Sequence, residues 1–376
     1  SPGSGGAFPR HGRKRAVMGR ASSWARFSYR PVGLSNRIPP FLGSSVISCV
    51  IMDVVRRLVV TAAGVLLLTG VACSADGTPK PTGGRGELEW RELAPAPSKR
   101  TEVAAAVVGP LIYVMGGFAD SEETVGTVEI YDTRSDRWDG GAPLPVPVNH
   151  PMGAGLGGDV YIFGGYVGPG LAEATDRAFV LRESEWMELP PMPEPRAAGG
   201  AAAIGERIYV AGGVGPEGLA TTTMAFDPSA DQWSIHPGMP TSREHLGVAA
   251  DGERLYVVGG RTSAGNLATS EAFDPATEQW SSLPDMPTPR GGLAGAATGN
   301  GFVVAAGGEA EATFDEAEAF DVQAGTWRSL PLMPTARHGL GVVAVGNVVY
   351  VIAGGPTPGF DFSDANEAID LTRLRL

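Results

Sequence analysis

Short apolar runs, each bounded by Gly or polar turn residues, recur in a fixed order along most of the chain. Each period opens on a small-residue apolar run, such as Gly339 to Val345. A Gly-bearing turn follows, as at Asp251-Gly252 or Gly346-Asn347, with the residue types that tight hairpin loops demand. A β-branched and aromatic run then ends at a Gly pair, as in Ile208-Tyr209-Val210-Ala211 before Gly212-Gly213. After a variable polar loop comes a third run with an aromatic residue (Tyr131, Phe179, Phe226, Phe273, Phe320), each seven residues before a Trp. Asp227-Pro228 and Asp274-Pro275 turn the chain between the third run and the Trp run. Runs of this kind, separated by turn signals, predict four antiparallel strands per period.

The period is regular enough to set the fold. Gly pairs stand at Gly116, Gly164, Gly212, Gly259, Gly307 and Gly354, spaced 48, 48, 47, 48 and 47 residues apart. Trp90, Trp138, Trp186, Trp233, Trp280 and Trp327 keep the same metre at 48, 48, 47, 47 and 47. Such a repeat predicts stacked supersecondary units. The last period ends at Ile369-Asp370-Leu371 without a Trp, and Trp90 has no strands before it. Joining the two ends completes a sixth unit and closes the ring, which removes open sheet edges. In the fifth and sixth periods the turn Gly (Gly299, Gly346) lies eight residues before the Gly pair, against seven in the others, which predicts a β-bulge in the second strand.

These features together resemble the kelch repeat: Tyr113, Tyr161, Tyr209 and Tyr256 ahead of the Gly pairs, the Trp comb, the linker Leu283-Pro284-Asp285-Met286-Pro287, and an Arg ten residues after the Trp. The resemblance covers residues 87–376 and implies an all-β, six-bladed kelch β-propeller with four antiparallel strands per blade. Its last blade is closed by the N-terminal strand around Trp90. The Gly pairs invite no phosphate-loop reading, because no Gly-x-x-x-x-Gly-Lys is present. The aromatic combs read as blade-stacking core.

Composition agrees and adds a leader. Gly contributes 54 and Pro 31 of 376 residues, too many for helical or doubly wound architecture. The formal net charge of −12 is uneven: residues 1–72 hold ten Lys or Arg and one acid, leaving −21 for the rest. So acidic a body repels phosphate backbones, and nucleic acid is not an expected partner. Residues 1–51 are basic and patternless and read as an upstream extension outside the native protein. Residues 52–73 have a basic start, an apolar run from Leu58 to Ala72 and a small-residue end, the pattern of a signal peptide. Thr69-Gly70-Val71-Ala72-Cys73 resembles the lipobox of bacterial lipoproteins, which implies lipidation at Cys73 and membrane contact through that anchor alone; simple cleavage is the alternative. Residues 74–86 read as a flexible tether. The expected location is extracytoplasmic, secreted or lipid-anchored, and the expected state is a monomer.

Candidate chemistry gathers at one end of the ring. The position ten after each Trp reads Arg100, Val148, Arg196, Arg243, Arg290 and Arg337. Five guanidiniums there predict an anion site, carboxylate foremost, or internal pairing with backbone carbonyls or with loop acids such as Asp120, Glu122, Glu123, Glu217, Glu309, Glu311, Asp361 and Asp364. Two residues further the ring reads Glu102, His150, Ala198, His245, Gly292 and Gly339, and His338 follows Arg337. His150 and His245 join the ligand-binding candidates, and Glu244 with His245 or His150 is the candidate acid–base pair. No His-x-His or His-Glu-x-x-His spacing supports a metal, and no cofactor is expected.

The function expected first is an extracytoplasmic kelch binding module, presenting its loop face to a protein, peptide or glycan, with no enzymatic activity. The alternative is a sugar-acid mutarotase similar to the N-acetylneuraminate epimerases. A galactose-oxidase-like copper site is disfavoured, because the Cys–Tyr cofactor needs a thiol within the ring and Cys73 lies outside it.

Overall fold

The computed structural model describes residues 88–171 and 173–374; the leader, Cys73 and the tether lie outside these residues. All regular structure among them is β, and no helix is long and apolar enough to cross a membrane. Six four-stranded antiparallel sheets form the blades. The first comprises Ala104–Val108, Leu111–Met115, Val128–Asp132 and Arg137–Gly140. The same order repeats through the fifth, Ala294–Ala297, Phe302–Ala306, Ala317–Asp321 and Thr326–Ser329. The sixth takes Gly341–Val345, Val348–Ile352 and Asn366–Asp370 from the C-terminal end and Trp90–Glu92 from the N-terminal end. Trp90 pairs with Ile369, Arg91 with Ala368 and Glu92 with Glu367, so the predicted closure is present.

The two combs act as blade-to-blade ties. Every Trp among the described residues donates its indole N–H to a carbonyl in the preceding blade's linker: Trp138 to Ala94, Trp186 to Ala142, Trp233 to Pro190, Trp280 to Pro237 and Trp327 to Pro284, at 2.8–2.9 Å. Trp90 closes the set on Pro331 at 2.8 Å. In the other direction, the second Gly of the first five pairs, and the first of the sixth, donates its N–H to the next blade's carbonyl at the Arg position. Gly117 reaches Val148, Gly165 Arg196, Gly213 Arg243, Gly260 Arg290, Gly308 Arg337 and Gly354 Arg100, all at 2.8–2.9 Å. At φ +94 a Cβ on Gly117 would lie 2.4 Å from the Thr101 carbonyl oxygen, so the pair combines left-handed backbone with contact too close for a side chain.

The bulges expected in blades 5 and 6 are absent, and the register of their strands is continuous. In blade 5 the extra residue is absorbed in the hairpin turn, where Gly301, not Gly299, takes φ +85. In blade 6 the left-handed pair is Ala353-Gly354 (φ +57 and +98), one residue ahead of the Gly pair read from the sequence.

The inner strands are made of small residues because they crowd about the axis. A Cβ on Gly155 would fall 1.9 Å from the Val107 carbonyl oxygen. They wall a cavity of about 300 Å³, lined by residues such as Ala105, Gly153, Ala201, Val248, Gly295 and Val342. That wall carries no titratable side chain. Chemistry is therefore confined to the ends, and one end has it.

Candidate functional site

The same short ladder builds that end in every blade. The residue after the Arg position pairs with the residue after the second Gly: Thr101 with Phe118, Asn149 with Tyr166, Ala197 with Val214, Glu244 with Arg261, Gly291 with Glu309 and His338 with Gly355. The next residue is held in left-handed conformation in all six blades: Glu102 (φ +54), His150 (+52), Ala198 (+54), His245 (+51), Gly292 (+73) and Gly339 (+60). Their N–H groups donate to the carbonyl of the equivalent residue one blade back, His150 to Glu102, Ala198 to His150, His245 to Ala198, Gly292 to His245 and Gly339 to Gly292, at 2.8–3.0 Å. Gly meets this backbone demand at no cost, so Glu and His here bear strain that Gly at the same position in blades 5 and 6 does not.

The five arginines do not ring the opening. Arg100, Arg196, Arg243, Arg290 and Arg337 are each 0% exposed and turn into their own blades. Arg337 donates to the Ala353 and Ala365 carbonyls and pairs with Glu367 at 2.6 Å. Arg100 pairs with Glu129 at 2.8 Å, Arg243 with Glu271 at 2.9 Å and Arg290 with Glu318 at 2.9 Å. Arg196 uses Glu194 at 2.8 Å. Burial lowers all five guanidiniums, and the partner carboxylate works against it. The ligand-binding expectation for these five is therefore corrected, and so are the loop acids expected as partners. The partners of Arg100, Arg243, Arg290 and Arg337 are third-strand glutamates, whereas Glu194, the partner of Arg196, lies in the segment that links two blades. A signal for them exists: a Glu stands 28–30 residues after Arg100, Arg243, Arg290 and Arg337. Blade 2, with Val148 in place of Arg, has Arg177 in place of Glu, and Arg177 turns outward to Glu188.

The histidines do converge. Glu102 is the hub, its Oε2 lying 3.1 Å from His150 Nε2 and 3.9 Å from His245 Nε2. Its Oε1 lies 3.7 Å from His338 Nε2, which also faces Glu309 Oε2 at 3.6 Å. Arg261 joins the rim, from Nη1 to Glu309 at 2.6 Å and from Nε to Glu244 at 3.3 Å. Glu244 returns to His245 Nδ1 at 3.6 Å. Three of the four histidines among the described residues thus meet on one carboxylate. Gly339 makes room for it: a Cβ there would lie 2.6 Å from Glu102 Oε1.

Hydrogen-bond partners fix the tautomers. Asn149 donates its Nδ2 to Thr124 Oγ1 and the Gly170 carbonyl, so its Oδ1 faces His150 Nδ1 at 2.7 Å and accepts from it. His338 Nδ1 lies 3.1 Å from the Gly355 carbonyl, which can only accept. In the neutral rings both Nε2 atoms are then bare. Burial pushes the His150 imidazole down to about 4, against the pull of Glu102. Burial works to raise the Glu102 carboxyl, but the three imidazoles and Arg261 outweigh it and hold it below its ordinary value. Glu244 is likewise pushed up by burial and held down at about 2 by His245 and Arg261. The site therefore couples anionic carboxylates to a neutral, buried imidazole.

Of the sequence candidates, His150, His245 and Glu244 belong to this cluster. Spacing places Glu102 at the repeat position of His150 and His245 without marking it as the hub, and it does not single out Arg261. A cavity of about 90 Å³ opens on Glu102, His150 and His245.

A family described as "KLHDC2/KLHL20/DRC7 Kelch-repeats domain" matches residues 154–355, and one described as "Kelch motif" matches residues 99–145. No curated protein matches the sequence. Among solved structures, one titled "Structure of YjhT" superposes with a TM-score of 0.66 at 16% identity, covering 75% of this chain and 98% of that one. At that identity the likeness concerns the fold.

Proposed function

Because the chain belongs to the kelch-repeat β-propeller family, we propose that it works as an extracytoplasmic binding module that takes a protein or peptide ligand on the loop face around Glu102. The observation that carries this reading is an apolar strip beside the polar cluster. Phe360 is 57% exposed and meets Phe118 edge-on at 5.0 Å; Phe118 in turn meets His150. On the other side His150 touches Tyr166, whose loop carries Val167 at 37% and Leu171 at 53% exposure. Exposed large apolar side chains next to satisfied polar groups are the composition of a binding-patch centre. Delivery outside the cytoplasm rests on the leader from Met52 to Cys73, with Cys73 as a lipid anchor.

A sugar-acid mutarotase would need free cations to hold a carboxylate. The five arginines are spent internally, and Arg261 is shared between Glu244 and Glu309, which favours the binding reading.

A photo-crosslinking side chain placed at Phe360 in the native host is expected to give a discrete adduct. The same group at Ile235, 63% exposed on an outer strand, gives none. Leu171→Ser removes the adduct or weakens it about tenfold, as loss of an apolar anchor does, with the melting temperature unchanged. Equal adducts from both positions, or none from Phe360, would contradict the assignment of the face.

A further inference from the structure

We propose that Glu102, His150, His245 and His338 form a binding site for a borderline divalent metal ion, zinc foremost. The inference stands whether or not a polypeptide docks on the face. Three imidazole Nε2 atoms point at one carboxylate, and two of them carry lone pairs by the tautomers their Nδ1 partners impose. His150 Nε2 and Glu102 Oε2 stand 3.1 Å apart, the shortest of the three contacts that converge on this carboxylate. The spacing suits a metal: bonds of about 2.0–2.1 Å in a tetrahedron set ligand atoms about 3.3–3.4 Å apart. Glu102 Oε2 lies 3.1 Å from His150 Nε2, close to that value, and 3.9 Å from His245 Nε2, while His338 Nε2 lies 3.7 Å from the other oxygen, so metal binding would draw the last two inward.

The outer contacts match what metal-bound histidines need, each ring N–H turned to an acceptor that fixes its orientation. His150 has the Asn149 amide oxygen, His338 the Gly355 carbonyl and His245 the Glu244 carboxylate. At 3.6 Å that last contact is too long for a hydrogen bond, and the buried His245 Nδ1 has no other partner. Ligation at Nε2 would draw the ring and shorten it. Charge agrees as well: three carboxylates, Glu102, Glu244 and Glu309, stand about the imidazoles against one guanidinium, Arg261. Three nitrogens and one carboxylate favour zinc, copper, nickel or cobalt over magnesium or calcium. Glu102, His150 and His245, whose donor atoms lie within 4.8 Å of one another, form the core, and His338 completes it from the carboxylate's other oxygen. The cavity beside them supplies the entry path and space for an exchangeable ligand.

The full chain, stripped with chelator and dialysed, is titrated with zinc by calorimetry and with cobalt by visible absorption. The expected result is one ion per chain, with the d–d bands of four-coordinate cobalt. The pair His150→Ala/His245→Ala loses about a hundredfold or more in affinity, while Asn149→Ala, which removes the acceptor behind His150 along with the Asn149 bonds to Thr124 and Gly170, loses about 10–100-fold. Circular dichroism and melting in chelator show that each variant is folded. Should the double variant fail to fold, Asn149→Ala and His338→Ala carry the test. A wild-type chain that binds neither ion, or ligand variants that bind as tightly as wild type, overturns the site.

Discussion

Glu367→Ala is expected to lower the unfolding free energy by about 3–5 kcal/mol, the cost of stranding a buried charge. Arg337 is wholly buried, and its Glu367 contact is the only carboxylate contact recorded for it among the described residues. Without Glu367 the guanidinium keeps its bonds to the Ala353 and Ala365 carbonyls and loses the neutralising charge. The double variant Arg337→Met/Glu367→Leu is expected to recover most of the loss, since apolar replacement of a buried pair is often neutral. Blade 2 already makes that substitution, with Val148 inside and Arg177 turned out to Glu188. Asp159→Ala, which breaks a surface pair with Arg182, costs under about 1 kcal/mol. Urea unfolding of the four chains checks this. A Glu367→Ala loss no larger than that of Asp159→Ala would mean that Arg337 relaxes to solvent, and would reopen the arginines to ligands.

Deleting residues 87–92 is expected to lower the melting temperature by about 10 °C or more and to do so in one cooperative transition. The deletion takes away the outer strand of blade 6 and its three residue pairs. It also removes the Trp90–Pro331 tie and the packing of Leu88 and Trp90 on the blade 5–6 core. Loss of the Trp alone is worth about 3–5 kcal/mol, and for a ring of this length each kcal/mol moves the midpoint by about 1.5–2 °C, with the lost strand pairs adding to the shift. Trp90→Ala should therefore reproduce much of the effect. Differential scanning calorimetry decides: an unchanged midpoint would mean that the ring does not depend on its closure.

The architecture was legible because its information is periodic along one dimension. Trp and Gly combs fix blade number, strand order and the closing strand without any knowledge of side-chain partners. Legibility failed where one residue changed the local phase. Gly354-Gly355 looks like the sixth tooth of the comb, yet the backbone places Ala353-Gly354 there. The candidate site was half legible. His150 and His245 stand out because they share one repeat position, and that position is left-handed in every blade. Spacing left the arginines open between an anion site and internal pairing, because burial depends on which way the side chain turns from the strand end. The Glu spacing that betrays their pairing runs across a variable loop. Glu102 stands at that same repeat position, but its role as hub and that of Arg261 as clamp were invisible, because periodicity says nothing about which blades exchange contacts.

The central claim is that chemistry at this end resides in bare imidazole nitrogens turned on Glu102. Long-range proton–nitrogen NMR of the histidine rings reads this directly, in chelator at neutral pH, with His150→Gln and His338→Gln used for assignment. His150 and His338 are predicted to be Nδ1–H tautomers with unprotonated Nε2. Protonation at Nε2 in either ring, as the opposite tautomer or as imidazolium, would contradict the account.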